Sequence, residues 1–140
     1  MFRVTTSDAD LLAAYCVRSI VFVGEQGCPF REEFDGLDAG AIHVLGVDAN
    51  GEPVAAARLR DVDGWAKLER IALVESVRGR GLGHALVEFL LGVARDHGFR
   101  RFKMHAQLHL EAFYAQHGFA RSGLPFMEAG IEHVLMRRED

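Results

Sequence analysis

The chain has 140 residues, enough for one domain with a buried core and short for two domains of ordinary size. Hydrophobic residues make up 49% and charged residues 26%, a composition that excludes fibrous and disordered proteins. Sixteen Lys and Arg against 20 Asp and Glu give a net charge of −4, so the strong basic field that binds nucleic acids or anionic membranes is missing. We therefore expect neither a nucleic-acid partner nor a membrane partner.

Two further observations narrow the class of protein. No apolar run approaches the roughly 20 residues that cross a bilayer, and the first residues lack the basic and then apolar pattern of a secretion signal. These features predict a cytoplasmic location. Cys16 and Cys28 lack the spacing of a disulfide framework or a zinc site, so neither a disulfide nor a metal is expected.

The first predicted element is a helix over residues 8–22, which Thr6 or Ser7 can cap. Residues 24–40 are rich in Glu, Asp and Gly and are predicted as a loop, with a helical turn over 31–34. The apolar face of the helix is predicted from residues that recur at intervals of three and four, namely Leu11, Leu12, Tyr15, Cys16, Ser19, Ile20 and Val23.

Three strands are predicted next. Residues 41–49 and 52–60 flank Asn50 and Gly51, the pair that best tolerates the positive φ angles of a type I′ turn, so we expect a hairpin. A third strand covers residues 65–73. Simple alternation places Lys67, Glu69, Ile71 and Leu73 on one face and Ala66, Leu68, Arg70 and Ala72 on the other.

The remaining pattern alternates between helix and strand. An amphipathic helix begins at Leu82. It is predicted to end at Gly98, because glycine readily adopts the left-handed backbone conformation found at helix ends. Residues 101–106 are predicted as a strand, residues 110–117 as a short helix, and residues 131–138 as a final strand. Together these elements predict a mixed α/β fold.

A glycine-rich turn, Val77–Gly83, joins the third strand to the long helix. Backbone amides at the positive end of a helix form a cradle for anions, most often phosphate, and Arg78 and Arg80 add positive charge. The alternative is a tight turn with no ligand. The spacing lacks the Gly-Lys-Ser/Thr of nucleotide-hydrolysing loops and the third glycine of dinucleotide-binding loops, which argues against both.

Two motifs carry a resemblance to a known family. Arg78, Gly81 and Gly83 match Arg-x-x-Gly-x-Gly, the pyrophosphate-binding signature of the GCN5-related N-acetyltransferases, and residues 111–119 resemble the "A-x-x-F-Y-x-x-x-G-F" segment of that family. The separation of the two motifs fits a helix, a strand and a second helix. The chain is therefore similar to this family in two places that are in register.

The resemblance extends over nearly the whole chain to the ElaA-like and YjcF-like branch. Val21–Gln26 looks like the "VFVxEQ" segment of that branch, Lys67–Ile71 like its "KLERI", and Glu128–His133 like its "AGIPH". His105, Ala106 and Gln107 stand where relatives usually have Asn-Ala-Gln, so the role of the first position is not carried over.

The resemblance implies a fold and an activity. The fold would be one domain over residues 1–140, with a mixed, mostly antiparallel sheet flanked by helices and a cleft for acyl-CoA where two strands splay apart. The activity would be transfer of an acetyl group from acetyl-CoA to a primary amine by direct attack in a ternary complex. A small-molecule amine is the favoured acceptor and a protein amine the next. The alternative is a non-catalytic acyl-CoA-binding sensor or partner-binding module, and a homodimer would be unsurprising.

The resemblance also implies roles for individual residues. Tyr114 would protonate the leaving thiolate, or else be a packed aromatic ring; Glu69 would accept the amine proton, or else form an ion pair with Lys67 and Arg70. Coenzyme binding is assigned to Ile71, Ala72, Leu73, Arg78, Gly79, Arg80, Gly81, Leu82, Gly83, His109 and Phe113. Acceptor binding is assigned to Arg18, Gln26, Glu33, His105 and His133, the alternative being that the acidic residues around Glu33 form a solvated loop.

Overall fold

An eight-stranded sheet runs through the protein, and the computed structural model describes all 140 residues. The spatial order is β1-β2-β3-β4-β5-β8-β6, with β7 paired to β8, and only the β4–β5 pair is parallel. The strands are β1 (Phe2–Val4), β2 (Ile42–Val47), β3 (Pro53–Val62), β4 (Trp65–Leu73), β5 (Arg101–Gln107), β6 (Ala120–Arg121), β7 (Phe126–Glu128) and β8 (Ile131–Glu139). The prediction of a mixed, mostly antiparallel sheet is confirmed.

Helices cover both faces of this sheet. They are α1 (Asp8–Arg18), which continues as a π-helical segment (Ser19–Glu25), α2 (Phe30–Glu33), α3 (Leu82–Asp96) and α4 (Glu111–Ala115). The larger hydrophobic core lies between α3 and the sheet, and a smaller one lies between α1 and the opposite face. None of these helices combines the length and the apolar character that a membrane span requires.

The buried face of α1 differs from the predicted one. Ser7 caps the helix as expected, accepting a hydrogen bond from the Asp10 amide at 3.1 Å. However, Leu12 is 63% exposed, and Ala14 and Val17 are the apolar residues that pack on the sheet. Small side chains pack at this interface because the strands opposite carry Ala56 and Ala72, which lets the helix approach the sheet closely. The α-helix also ends at Arg18, four residues earlier than predicted.

The β2–β3 hairpin forms, but its turn is not of type I′. The loop has five residues, and only Gly51 has a positive φ, whereas Asn50 does not. The Asp48 carboxylate accepts hydrogen bonds from the amides of Asn50 and Glu52 at 2.8 and 3.0 Å, which favours this wider loop. A two-residue turn with two positive φ angles lies instead between β3 and β4, at Asp63 and Gly64.

The simple alternation predicted for β4 fails at Arg70. This residue has a φ of +56°, and the register with β3 shifts beside it, so the strand contains a bulge. Before the bulge Leu68 faces the core under α3, whereas after it Ala72 faces α1. Ile71, predicted on the opposite face from Leu68, packs against the same core as Leu68.

Three short strands were not predicted from the sequence. β1, β6 and β7 have two or three residues each, too few for an alternating pattern to show. The connection from β7 to β8 is a two-residue turn in which Ala129 and Gly130 both have positive φ angles. This turn places Glu128 directly opposite Ile131.

Candidate active site

A cleft of about 940 Å³ opens where β4 and β5 separate. The two strands pair only at Ala66–Phe102 and Lys67–Lys103 and then diverge, so the edge of β4 from Leu68 onward has no strand partner on that side. Its backbone amides and carbonyls therefore remain available to a ligand. The expected splayed strands are present, and Ile71, Ala72 and Leu73 line the cleft.

The glycine-rich turn closes one end of this cleft. Gly79 and Gly81 have φ angles of +79° and +78°, a conformation that other residues adopt only with strain, and Gly81 directly precedes α3. At Gly83 an added Cβ would lie 3.3 Å from Cζ of Phe113. The cradle at the positive end of α3 therefore has the geometry that an anion site requires.

The two arginines of the turn differ in position, because Arg78 lines the cleft and Arg80 does not. The Arg78 guanidinium donates to the Leu73 carbonyl at 2.9 and 3.0 Å and forms an ion pair with Glu25 at 2.5 Å, so it fastens the turn to the end of β4. Arg80 and Leu82 do not line the cleft, whereas Gly79, Gly81 and Gly83 do. Any contact from Leu82 to an anion would come from its backbone.

Tyr114 lies at the floor of the cleft and is 6% exposed. Its ring packs edge-on against Phe113, with ring centroids 5.0 Å apart, and no protein group hydrogen bonds to its hydroxyl. Burial raises the pKa of Tyr114 to about 12, so the hydroxyl keeps its proton at neutral pH. The side chain is at once a packed aromatic ring and a free hydrogen-bond donor. His109, on the turn before α4, lines the cleft nearby.

Glu69 lines the cleft, but its carboxylate is surrounded by cations. Arg60 Nε lies 2.6 Å from it, Lys67 Nζ 2.9 Å and Arg58 Nη2 3.0 Å. Burial alone would raise the pKa of Glu69, but the hydrogen bonds from Arg60 and Lys67 and the charge of Arg58 lower it to about 2. Such a carboxylate is a weak base, so the geometry favours the ion-pair alternative. The expected partner Arg70 is wrong, because the bulge turns it away from Glu69.

Most carboxylates of the acidic loop are held by arginines. Arg18, assigned to the acceptor mouth, is fully buried and donates to Glu33 at 2.8 Å and to Asp38 at 2.7 Å; it does not line the cleft. Glu33 borders the cleft but is held by Arg18 and, at 3.0 Å, by Arg70. We call these residues the buried ion-pair network, whose members are Arg18, Glu33, Asp35, Asp38, Arg58 and Arg70. Glu33, Asp35 and Asp38 are therefore paired with three arginines, whereas Glu32 stays exposed and has no ion-pair partner, as the solvated alternative predicted for the loop.

Another part of the cleft lining carries polar groups of a different kind. His105 Nδ1 lies 2.9 Å from Oε1 of Glu128, and His133 Nε2 lies 3.7 Å from Oε2 of the same carboxylate. We call these three residues the histidine wall. Beside it, Gln107 Nε2 donates to Oε1 of Gln26 at 3.0 Å, linking β5 to the end of the π-helical segment. The structure therefore brings His105, His133 and Gln26 to the cleft as expected.

Two groups at the cleft were missed in the sequence. Glu128 lies in the segment that resembles "AGIPH", but only the β7–β8 turn aligns it with His105, and Gly130 was the one sequence signal for that turn. His84 lines the cleft against Phe113 with ring centroids 4.5 Å apart, and its Nδ1 lies 2.8 Å from Nε2 of His117. No local pattern pairs residues so far apart along the chain.

Comparisons with known proteins agree with this geometry. The family model described as "Acetyltransferase (GNAT) domain" matches residues 23–139. A Bacillus subtilis protein named as an acetyltransferase is 41% identical over 138 residues, covering 96% of this chain and 93% of that protein. A Pseudomonas aeruginosa acyl-CoA N-acyltransferase structure superposes with a TM-score of 0.89 at 32% identity, covering 99% of this chain and 98% of that one. Escherichia coli ElaA gives a TM-score of 0.88 at 30% identity, with 99% of both chains covered.

The fold and the cleft thus define an acyltransferase of the GNAT type. The chain belongs to the GNAT family and is an acetyltransferase, as the two sequence motifs indicated. The structural similarity to ElaA is consistent with the sequence resemblance to the ElaA-like branch.

Proposed function

We propose that this protein transfers the acetyl group of acetyl-CoA to a primary amine by direct attack within a ternary complex. One observation carries the proposal: the unpaired edge of β4, the glycine-rich cradle at the start of α3 and the Tyr114 hydroxyl all border a single cleft. A thioester with a long amide-containing arm and a diphosphate needs these three kinds of contact in this order.

In the proposed complex the coenzyme lies along the split between β4 and β5. The backbone amides of the Gly79–Gly83 turn hold the diphosphate at the positive end of α3. The amide-containing arm pairs with the free edge of Ile71–Leu73 as an added strand would. Phe113 and His109 border the arm on the side of α4. A backbone amide of the β4 edge polarises the thioester carbonyl.

We propose direct attack by the amine, because the one cysteine in the cleft is a poor candidate for a covalent acetyl-enzyme intermediate. Cys28 lines the cleft, but burial and then the charges of Glu33 and Glu32 raise its pKa, which lowers the fraction of reactive thiolate. The amine therefore attacks the thioester carbon itself, the C–N bond forms and the C–S bond breaks. Tyr114, protonated at neutral pH, donates to the departing sulfur.

The acceptor is proposed to be a small cationic amine, with a protein amine as the next candidate. The carboxylates of Glu32 and Glu128 are exposed at the cleft, and Glu32 has no ion-pair partner, so the acceptor side attracts positive charge. Loop residues such as Leu37, the β7 strand and the start of β8 border this side, which suits a small molecule.

Calorimetry with coenzyme A and acetyl-CoA tests the binding half of the proposal. The wild type is expected to bind both, and Gly83→Val is expected to bind at least about tenfold more weakly, because its side chain would intrude on Phe113 and the cradle. Gly92→Ala, in the middle of the same helix with open space around it, is the matched control and should bind like the wild type. Absence of heat with folded wild-type protein would overturn the proposal.

Thiol release from acetyl-CoA across a panel of amines tests the catalytic half. We expect release that depends on the amine added and saturates with it. A ping-pong pattern, or a covalent acetyl-enzyme detected by mass spectrometry, would overturn direct attack. Coenzyme binding without turnover for any small or peptide amine would instead support the sensor alternative.

A further inference from the structure

A histidine on β5 has the surroundings of a general base, and the reaction as proposed still needs one. His105 alternates along β5 with Met104 and Ala106 of the larger core, so its side chain lies on the other face of the sheet; it lines the cleft and is 32% exposed. We propose that His105 takes the proton from the attacking amine and that Glu128 is its positioning residue, an inference that rests on the proposed acyl transfer.

The contact with Glu128 fixes the form of the imidazole ring. A carboxylate only accepts hydrogen bonds, so the 2.9 Å contact requires the proton of a neutral His105 to be on Nδ1. Nε2 then carries the lone pair, and no protein group hydrogen bonds to it. The Phe126 ring meets the imidazole edge-on, with centroids 5.0 Å apart at 78°, which restricts the ring further. The orientation matches that of a base held by a carboxylate.

The other groups near His105 are less suited to this role. The Glu69 carboxylate is held by three cations, and Lys67 Nζ is tied to it at 2.9 Å. His133 donates from Nδ1 to the Ile131 carbonyl at 2.7 Å, so its Nε2 is also free of a proton in the neutral form. That nitrogen, however, faces the Glu128 carboxylate at 3.7 Å, and the side chain is only 8% exposed.

The proposed step is balanced within the reaction. The acceptor's ammonium form transfers one proton to His105 Nε2, and the neutral amine attacks the thioester carbon. The imidazolium that forms is stabilised by Glu128 and later releases its proton to solvent. The second proton lost by the nitrogen balances the one that the leaving thiolate receives, so the products are the amide, the free thiol and one proton.

The test compares the pH dependence of turnover in the wild type and in His105→Gln. With acetyl-CoA and the best amine of the panel, we expect kcat/KM at neutral pH to fall about 10²-fold or more in the variant. The part of the rise in rate that lies between about pH 5 and 8, where a histidine base loses its proton, should disappear. His97→Gln, on the far end of α3, is the matched control and should behave as the wild type.

Glu128 supplies a second, independent test. Glu128→Gln is expected to lower kcat more than it raises KM and to shift the pH profile, and Glu128→Asp should recover part of the activity because it restores the acceptor. His133→Gln should keep the histidine limb. A pH profile unchanged in both His105→Gln and Glu128→Gln, or lost in His133→Gln alone, would overturn the inference.

Failure of this inference is distinguishable from failure of the proposed function. If wild-type protein binds coenzyme A and turns over amines while His105→Gln does so equally well, only the role of His105 is wrong. If the wild type turns over no amine, the proposed transfer is wrong, and so is the role of His105 as its base. Calorimetry with coenzyme A should give the same affinity for His105→Gln and the wild type, because His105 lies on the acceptor side.

Discussion

Two groups of charged and polar side chains meet the same cleft, the buried ion-pair network through Glu33, Asp35 and Arg70 and the histidine wall directly, and they differ in how completely they are paired. In the buried ion-pair network every carboxylate meets an arginine, and Arg18 and Arg58 are fully buried. In the histidine wall the Glu128 carboxylate lies near both His105 and His133, and Nε2 of each ring accepts no hydrogen bond from the protein. Groups that are fully paired stabilise the fold, whereas groups with a free lone pair or proton can do chemistry. The comparison predicts that the network governs stability and the wall governs rate.

Removing an arginine from the network should have the largest effect. Arg58→Met removes a fully buried guanidinium that pairs with Asp35, Asp38 and Glu69 and leaves each carboxylate with fewer cations, so we expect a loss of about 3–5 kcal/mol in the free energy of unfolding. Urea unfolding monitored by circular dichroism measures it. A loss below about 1 kcal/mol, the range of exposed ion pairs, would show that the network is hydrated and break the comparison.

Removing the hydroxyl at the floor of the cleft should affect rate and leave stability unchanged. Tyr114→Phe keeps the packing against Phe113 and removes a hydroxyl that has no protein partner, so the thermal midpoint should stay within error of the wild type. We expect kcat to fall about 10²-fold, the lower end for a lost general acid. Phe119→Leu, a packing change next to Tyr114, is the contrasting variant and should lower stability more than rate.

Acid should lower the free energy of unfolding in part through protonation of Glu69, which pairs with Arg58 of the network. The pKa of Glu69 is about 2 in the folded protein against 4.5 for an ordinary glutamate, so the unfolded chain binds a proton first as the pH falls. Its contribution is complete above about pH 4.5 and is lost progressively towards pH 2, with about 2 kcal/mol gone at pH 3. Unfolding free energies measured between pH 6 and pH 3 should fall less steeply in Glu69→Gln. Equal slopes would mean that the ion pairs of Glu69 with Arg58, Arg60 and Lys67 do not stabilise the fold.

An exposed ion pair provides the smallest effect and sets the scale. Arg3 pairs with Asp10 at 2.9 Å at the surface, with half of the Arg3 side chain in solvent. Arg3→Ala should change neither the thermal midpoint nor the turnover measurably, since water replaces the lost contact. A clear drop in the midpoint would mean that the contrast between buried and exposed pairs is smaller here than we argue.

Much of the fold could be predicted because its elements have strong local signals. The long helix α3, the strand β4 over Trp65–Leu73 and the glycine-rich turn between them were predicted close to their observed bounds, from periodicity and glycine spacing. Features that depend on a partner element were not. The bulge at Arg70 depends on the register with β3, and the buried face of α1 depends on the alanines of the sheet.

The site divides in the same way. Residues within the two motifs, from Gly79 to Gly83 and around Tyr114, are found at the cleft because a short motif carries its own geometry. Arg18 and Glu69 were assigned chemical roles that their surroundings do not favour, since pairing partners 15 to 20 residues away, or on a neighbouring strand, decide whether a charge is free.

By itself the sequence determined the family, the order of helices and strands and the phosphate-type cradle, because these follow from local spacing and from motifs of a few residues. Only the tertiary structure decided which charged groups form ion pairs with each other and which can still contact a substrate. The reason is that the pairs join residues that only folding brings together. His105 and Glu128 are separated by 23 residues along the chain and by 2.9 Å in the folded protein.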